Sequence, residues 1–143
     1  MSEEVKVSTY GFDHVGLSVR DLAISRKFFC DCLGWRVVGE RPDYPAAFLS
    51  DGQGTLTLWE VASPGTAIAF DRRANVGLHH PLAVAVRAGL DGIYQRVSVW
   101  PGVVVEFAPQ RLSAGPKIHF IVREPSGVRI EFAFDPRLAR KER

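Results

Sequence analysis

The order of extended and helical patterns in this chain runs through once and then starts again, and that repetition constrains the fold more than any single motif. Residues 12–19 alternate strictly, with Val15, Leu17 and Val19 on one face and Phe12, His14, Gly16 and Ser18 on the other, the period of a strand packed on one side. Asp21 is a suitable helix N-cap, Leu22, Ile24, Phe28, Cys32 and Leu33 fall near helical spacing, and Gly34 stands where the helix ends. Extended stretches follow at 36–41, 46–50 and 55–61, separated by Asp43-Tyr44-Pro45 and Asp51-Gly52-Gln53-Gly54, which carry turn chemistry. Residues 62–76, with Pro64-Gly65 and Asp71-Arg72-Arg73, have no sustained period and read as a linker. Beyond it the order repeats. A strand at 79–86 precedes a helix on Leu90, Ile93, Tyr94 and Val97 that Pro101-Gly102 ends, and strands follow at 103–107, 117–123 and 128–133. The expectation is an α+β fold in a single domain over 1–143, built from two β-α-β-β-β units at about 10–61 and 77–135.

Unusual residues recur with the strands. His14 lies in the first strand of unit one, and His79-His80 opens the first strand of unit two; Glu60 closes the last strand of unit one, and Glu131 lies in the last strand of unit two. Other features exclude whole classes of function. Eighteen basic against 16 acidic side chains leave a formal charge of +2, too little to hold a nucleic-acid backbone, and the basic cluster Arg137, Arg140, Lys141 and Arg143 reads as a solvated terminus. No window approaches the ~18 apolar residues of a membrane span, and the acidic start Met-Ser-Glu-Glu lacks the order of a signal peptide. A cytoplasmic protein with no nucleic-acid or membrane partner is therefore expected. Cys30 and Cys32, in an apolar helical pattern that turns them in different directions, read as packing residues and not as half of a metal site.

The stretches 13–22 (Asp-His-Val-Gly-Leu-Ser-Val-Arg-Asp-Leu), Phe28-Phe29 through Leu33-Gly34-Trp35, and 124–131 (Glu-Pro-Ser-Gly-Val-Arg-Ile-Glu) resemble the vicinal oxygen chelate superfamily of glyoxalase I, bleomycin-resistance proteins and extradiol dioxygenases. The resemblance runs from about Gly11 to Asp135 and identifies the superfamily without fixing one activity within it. It implies that the two units curl into a cup-like, mixed eight-stranded sheet with helices outside. It also implies a divalent metal inside, of the Ni, Zn, Co, Fe or Mn kind, held by His14, Glu60, one of His79 or His80, and Glu131.

Side-chain parity bears on each of these. Glu131 shares a face with Gly127, Arg129 and Ala133, opposite Val128, Ile130 and Phe132. Glu60 shares its face with Leu56 and Leu58, and Trp59 lies on the other. Strict parity favours His79, together with Pro81, Ala83 and Ala85, whereas the resemblance favours His80, which reaches the same side if the strand bulges at Pro81. His119 shares parity with Lys117, Ile121 and Arg123 and is a candidate proton carrier; Arg129 either fixes an anionic substrate group or neutralises nearby carboxylates. Tyr44, Trp59 and Trp100 are aromatic candidates for a pocket wall or the core, with Trp59 the one assigned to substrate.

The activity the resemblance implies is of the glyoxalase type. A small substrate with adjacent oxygens binds the metal, and Glu131 or Glu60 moves a proton through an enediolate, a lyase or isomerase reaction. One alternative is an extradiol dioxygenase with Fe(II) on His14, His80 and Glu131; another is a binding protein of the drug-resistance kind, without turnover. Relatives of this sort often pair their units between subunits, so a homodimer is expected.

Overall fold

In a computed structural model of the chain, residues 4–63 and 71–139 are described. The predicted Pro64-Gly65 part of the linker, and Arg140, Lys141 and Arg143 of the basic cluster, lie outside the described residues. The order is β1 (His14–Val19), α1 (Leu22–Lys27), β2 (Arg36–Arg41), β3 (Ala46–Ser50) and β4 (Thr55–Glu60), then β5 (Leu82–Val86), α2 (Leu90–Ser98), β6 (Val104–Arg111), β7 (Ile118–Arg123), β8 (Arg129–Phe134) and the short α3 (Pro136–Ala139). Both units are therefore β-α-β-β-β and the fold is α+β. The eight strands divide into two four-stranded sheets with the same internal order, β1-β4-β3-β2 and β5-β8-β7-β6. In each, the first strand runs parallel to the last, β1 with β4 and β5 with β8, and the other pairings are antiparallel.

The period-two pattern decides which face of each strand is buried. In β1 and β4, Leu17, Val19, Leu56 and Leu58 are buried, and in β7 and β8 Phe120, Val122, Ile130 and Phe132 are. These residues join one apolar cluster with Phe28, Phe29, Cys32, Leu90 and Val97, drawn from both units. Phe120 and Phe132 stack with ring centroids 4.8 Å apart, and Tyr94 of α2 meets Phe120 edge-on at 5.1 Å. The helices cover this face of each sheet; the opposite, helix-free face is where the chemistry-bearing side chains stand.

Some boundaries differ from the sequence reading for physical reasons. The first helix begins as expected, with Asp21 accepting the Ile24 N–H, but its second half, Phe28–Cys32, is a π-helical turn. That turn buries Phe28, Phe29 and Cys32 together, and the chain leaves it through Gly34 at φ +79°. The strand expected at 79–86 begins only at Leu82, since Pro81 has no N–H to give a ladder. Strand β6 extends to Arg111 and carries two irregularities of register, between Val105 and Phe107 and between Phe107 and Gln110.

The units are joined by a buried polar clasp at the turn before β8. Glu124, 1% exposed, accepts the Ser126 and Val128 N–H groups on Oε1 and the Ser25 hydroxyl of α1 on Oε2. Ser126 Oγ lies 2.7 Å from Ser25 Oγ and accepts the Asp21 N–H, so the second unit's turn seats the start of the first unit's helix. A second link is Arg96 of α2, whose Nε donates to the Cys32 carbonyl at 3.2 Å.

Candidate functional site

On the helix-free face of the second sheet, β7 and β8 place Ile121 opposite Glu131, His119 opposite Ala133 and Arg123 opposite Arg129. Glu131 and His119 are both buried. The His119 Nδ1–H donates to Glu131 Oε2 at 2.6 Å, and Phe107 of β6 packs against the imidazole with centroids 4.9 Å apart. The other carboxylate oxygen, Oε1, lies 3.3 Å from His80 Nε2. The His80 Nδ1 lies 2.9 Å from that of His79, within hydrogen-bond distance, with the two rings edge-on. Two imidazoles from distant parts of the unit thus converge on one buried carboxylate. Of the two neighbouring histidines, His80 is the one that reaches Glu131.

Beside this group, two residues back along β8, the Arg129 Nε lies 2.9 Å from both oxygens of Glu106, and Arg123 Nη2 lies 3.4 Å from Glu106 Oε1. Arg129 therefore neutralises a carboxylate. Its Nη1 is buried and has no hydrogen-bond partner among the described residues. Glu106 and Phe107 belong to the irregular part of β6, and no sequence period pointed to them; the shared parity of His119, Arg123, Glu131 and Arg129 was the signal that existed.

The first unit's helix-free face is of another kind. Trp59 donates its indole N–H to Thr57 Oγ1 at 2.8 Å and packs against Tyr44 and Phe48, with centroids at 4.7 and 5.6 Å. A side chain in place of Gly16, across from Thr57, would put its Cβ 3.1 Å from Thr57 Oγ1. His14 is half exposed and its Nδ1 is bonded to Asp13 at 2.7 Å. Trp100 packs at the margin of the core.

The structure does not bring Glu60 to this face. Glu60 continues the Leu56, Leu58 side of β4 toward α1, where Oε2 accepts the Leu22 N–H at 2.8 Å. That bond satisfies one of the free N–H groups at the helix start. With Glu60 on the far side of the sheet and His14 held by Asp13, the set His14, Glu60, His80 or His79 and Glu131 is not gathered, nor is the set His14, His80 and Glu131. Among the described residues no three His, Cys, Asp or Glu side chains are arranged to hold a metal ion. The donor geometry of this chain therefore does not fit the metal centre that the resemblance implies.

The two thiols stay with packing. Burial pushes the Cys30 and Cys32 thiols above the ordinary cysteine range, opposed in part by the Arg26 and Arg96 guanidinium groups. No helix among the described residues is long and apolar enough to cross a membrane.

Two repeated units with paired first and last strands, and polar groups on their helix-free faces, define a chelate-type fold, and comparison with known proteins agrees. The profile of the Glyoxalase/Bleomycin resistance protein/Dioxygenase superfamily matches residues 11–132, and the chain belongs to that superfamily. Among solved structures, a glyoxylase/bleomycin resistance protein/dioxygenase domain from Frankia sp. EAN1pec is similar at 27% identity, with a TM-score of 0.73 over 90% of this chain and 93% of that one. Lactoylglutathione lyase from Agrobacterium tumefaciens shares the fold at 18% identity, TM-score 0.64, over 88% of this chain and 94% of that one. The fosfomycin resistance protein FosX from Listeria monocytogenes does so at 12% identity, TM-score 0.65, over 88% and 93%. No curated protein sequence matches the chain. Members of the superfamily commonly use divalent metals.

Proposed function

We propose that the chain is a glyoxalase-like lyase or isomerase that binds a small substrate with adjacent oxygens against the second sheet and moves a proton between its carbons through an enediolate. The observation that supports this reading is the buried Glu131, with one oxygen bonded to His119 and the other 3.3 Å from His80. A carboxylate is the ordinary base for a C–H made acidic by a neighbouring carbonyl. His119 fixes the orientation of the carboxylate and is placed to exchange the proton with it. His80, at the more exposed end of the group, is placed to donate to the oxygen on which enediolate charge develops. No step is routed through a metal, because the donors are not gathered for one. A small-molecule substrate, a homodimer and a cytoplasmic setting complete the proposal.

The test is the exchange of substrate C–H for solvent deuterium, followed by proton NMR with a panel of α-hydroxy ketones, 2-oxo acids and dicarbonyl hemithioacetals. It is run with chelator and, separately, with added Ni, Zn, Co, Fe or Mn. Exchange by the wild type that falls by about 10²- to 10⁴-fold in Glu131→Gln supports the reading. Exchange retained by Glu131→Gln overturns it, and binding without exchange in any arm replaces it with a binding protein.

A further inference from the structure

A cavity of about 450 Å³ lies where β1 of the first unit meets β7 and β8 of the second. Gly16 and Ser18 line it from one side and Arg123 and Arg129 from the other, with Arg72 and His79 from the chain ahead of β5. Three arginines and a histidine line this space, and no carboxylate does so among the described residues.

Among the described residues, the positive charges around it outnumber the carboxylates that contact them. Arg123 and Arg129 stand directly opposite each other on β7 and β8, an arrangement that like charges disfavour. Glu106 compensates one of them by contacting both, which leaves one positive charge over, and Arg72 adds another. The Arg129 side chain is only 12% exposed and its Nη1 has no partner among the described residues. The guanidinium thus keeps N–H groups that no described residue uses, and because that nitrogen is itself buried the side chain has to turn toward the cavity to offer them to an acceptor.

We infer that this cavity is an oxyanion subsite, and that the substrate is a small anion whose carboxylate or phosphoryl group is held by Arg129, Arg123 and Arg72. The inference deepens the proposed function and rests on it only for the reactive end of the substrate. Arg129 and Glu131 are two residues apart on the same face of β8, about 7 Å along the strand. Glu131 is not among the described residues that line the cavity, so an anion seated on Arg129 has to extend along β8, past the lining, to bring its carbon to the Glu131 carboxylate. The guanidinium groups also disfavour a neutral substrate, since binding one leaves the surplus positive charge uncompensated.

The experiment is isothermal titration of the full chain with oxalate, inorganic phosphate and the neutral oxamide, at low and high NaCl. Oxalate or phosphate should bind, more weakly as salt rises, while oxamide should not; oxalate alone points to carboxylate substrates and phosphate alone to phosphoryl ones. Arg129→Gln should weaken anion binding by about tenfold or more. If Arg129→Gln fails to fold, Arg123→Gln, at the half-exposed rim, should still weaken it severalfold. Glu131→Gln should keep the anion affinity, so loss of exchange and loss of anion binding fail separately. Equal binding of oxamide, no binding of either anion, or an affinity indifferent to Arg123→Gln and Arg129→Gln would overturn the subsite.

Discussion

The two units share a topology and differ in what they do with it. Unit one spends its helix-free face on aromatic contacts, Trp59 with Tyr44 and Phe48, and turns its glutamate to the helix side as a partner for Leu22. Unit two places Glu131 on the helix-free face among His119 and His80, with Arg129, Glu106 and Arg123 beside it. Repetition of a scaffold thus does not repeat a site. A one-residue difference in strand parity, Glu60 beside Leu58 against Glu131 opposite Ile130, sends equivalent carboxylates to opposite sides of their sheets.

The sharpest break of that comparison is catalytic. Glu131→Gln should lower turnover by about 10²- to 10⁴-fold, whereas Glu60→Gln should leave turnover near wild type and show its effect in stability, through Leu22. Deuterium exchange and urea denaturation measured on both variants separate the roles; a comparable loss of turnover in Glu60→Gln would contradict the asymmetry.

The turns before the last strands offer the next contrast. Glu124 is buried and receives donors from both units, while its counterpart Asp51 is exposed and, among the described residues, takes the Gln53 and Gly54 N–H groups of its own turn. Glu124→Ala leaves buried donors unpaired and should cost about 2–4 kcal/mol in urea unfolding. Asp51→Ala should cost about 0.5–1 kcal/mol, its donors being open to water. Equal losses would mean that the clasp does not hold the units together.

A smaller effect tests the aromatic face. Trp59→Phe keeps most of the packing but removes the indole bond to Thr57, and a loss of about 1 kcal/mol in thermal unfolding is expected. The smallest effect is on pH dependence. The folded Cys32 thiol titrates above its ordinary range, so below that range both states hold the proton and nothing is lost. As pH rises through the thiol range the unfolded chain ionises first, and stability declines until the folded thiol ionises too. A shallow fall of Tm above about pH 8.5, flattened in Cys32→Ser, is the expected readout.

Much of this was legible in the residues. The repeat, the strands of unit one and the turn residues follow from local period and turn chemistry, which act over a few residues and need no partner. Parity placed His119, Arg123, Arg129 and Glu131 on one face, and it also set Glu60 with Leu56 and Leu58; the repeat, which matches Glu60 with Glu131, and the family resemblance drew Glu60 toward the metal. The late start of β5 was signalled by Pro81, yet which of His79 and His80 reaches Glu131 depends on how the chain enters the strand, and no period describes that entry.

The sequence by itself determined the class of fold, two β-α-β-β-β units with buried Leu, Val and Phe on one face of each sheet, because alternation and capping are local. It determined the superfamily as well. The tertiary structure alone decided that Glu106 lies under Arg129, that Glu124 ties the second unit to α1, and that three arginines share a cavity with no carboxylate among its described lining. Those contacts join residues distant along the chain through a bulged strand, a buried turn and the seam between units, and their geometry exists only once both sheets are packed.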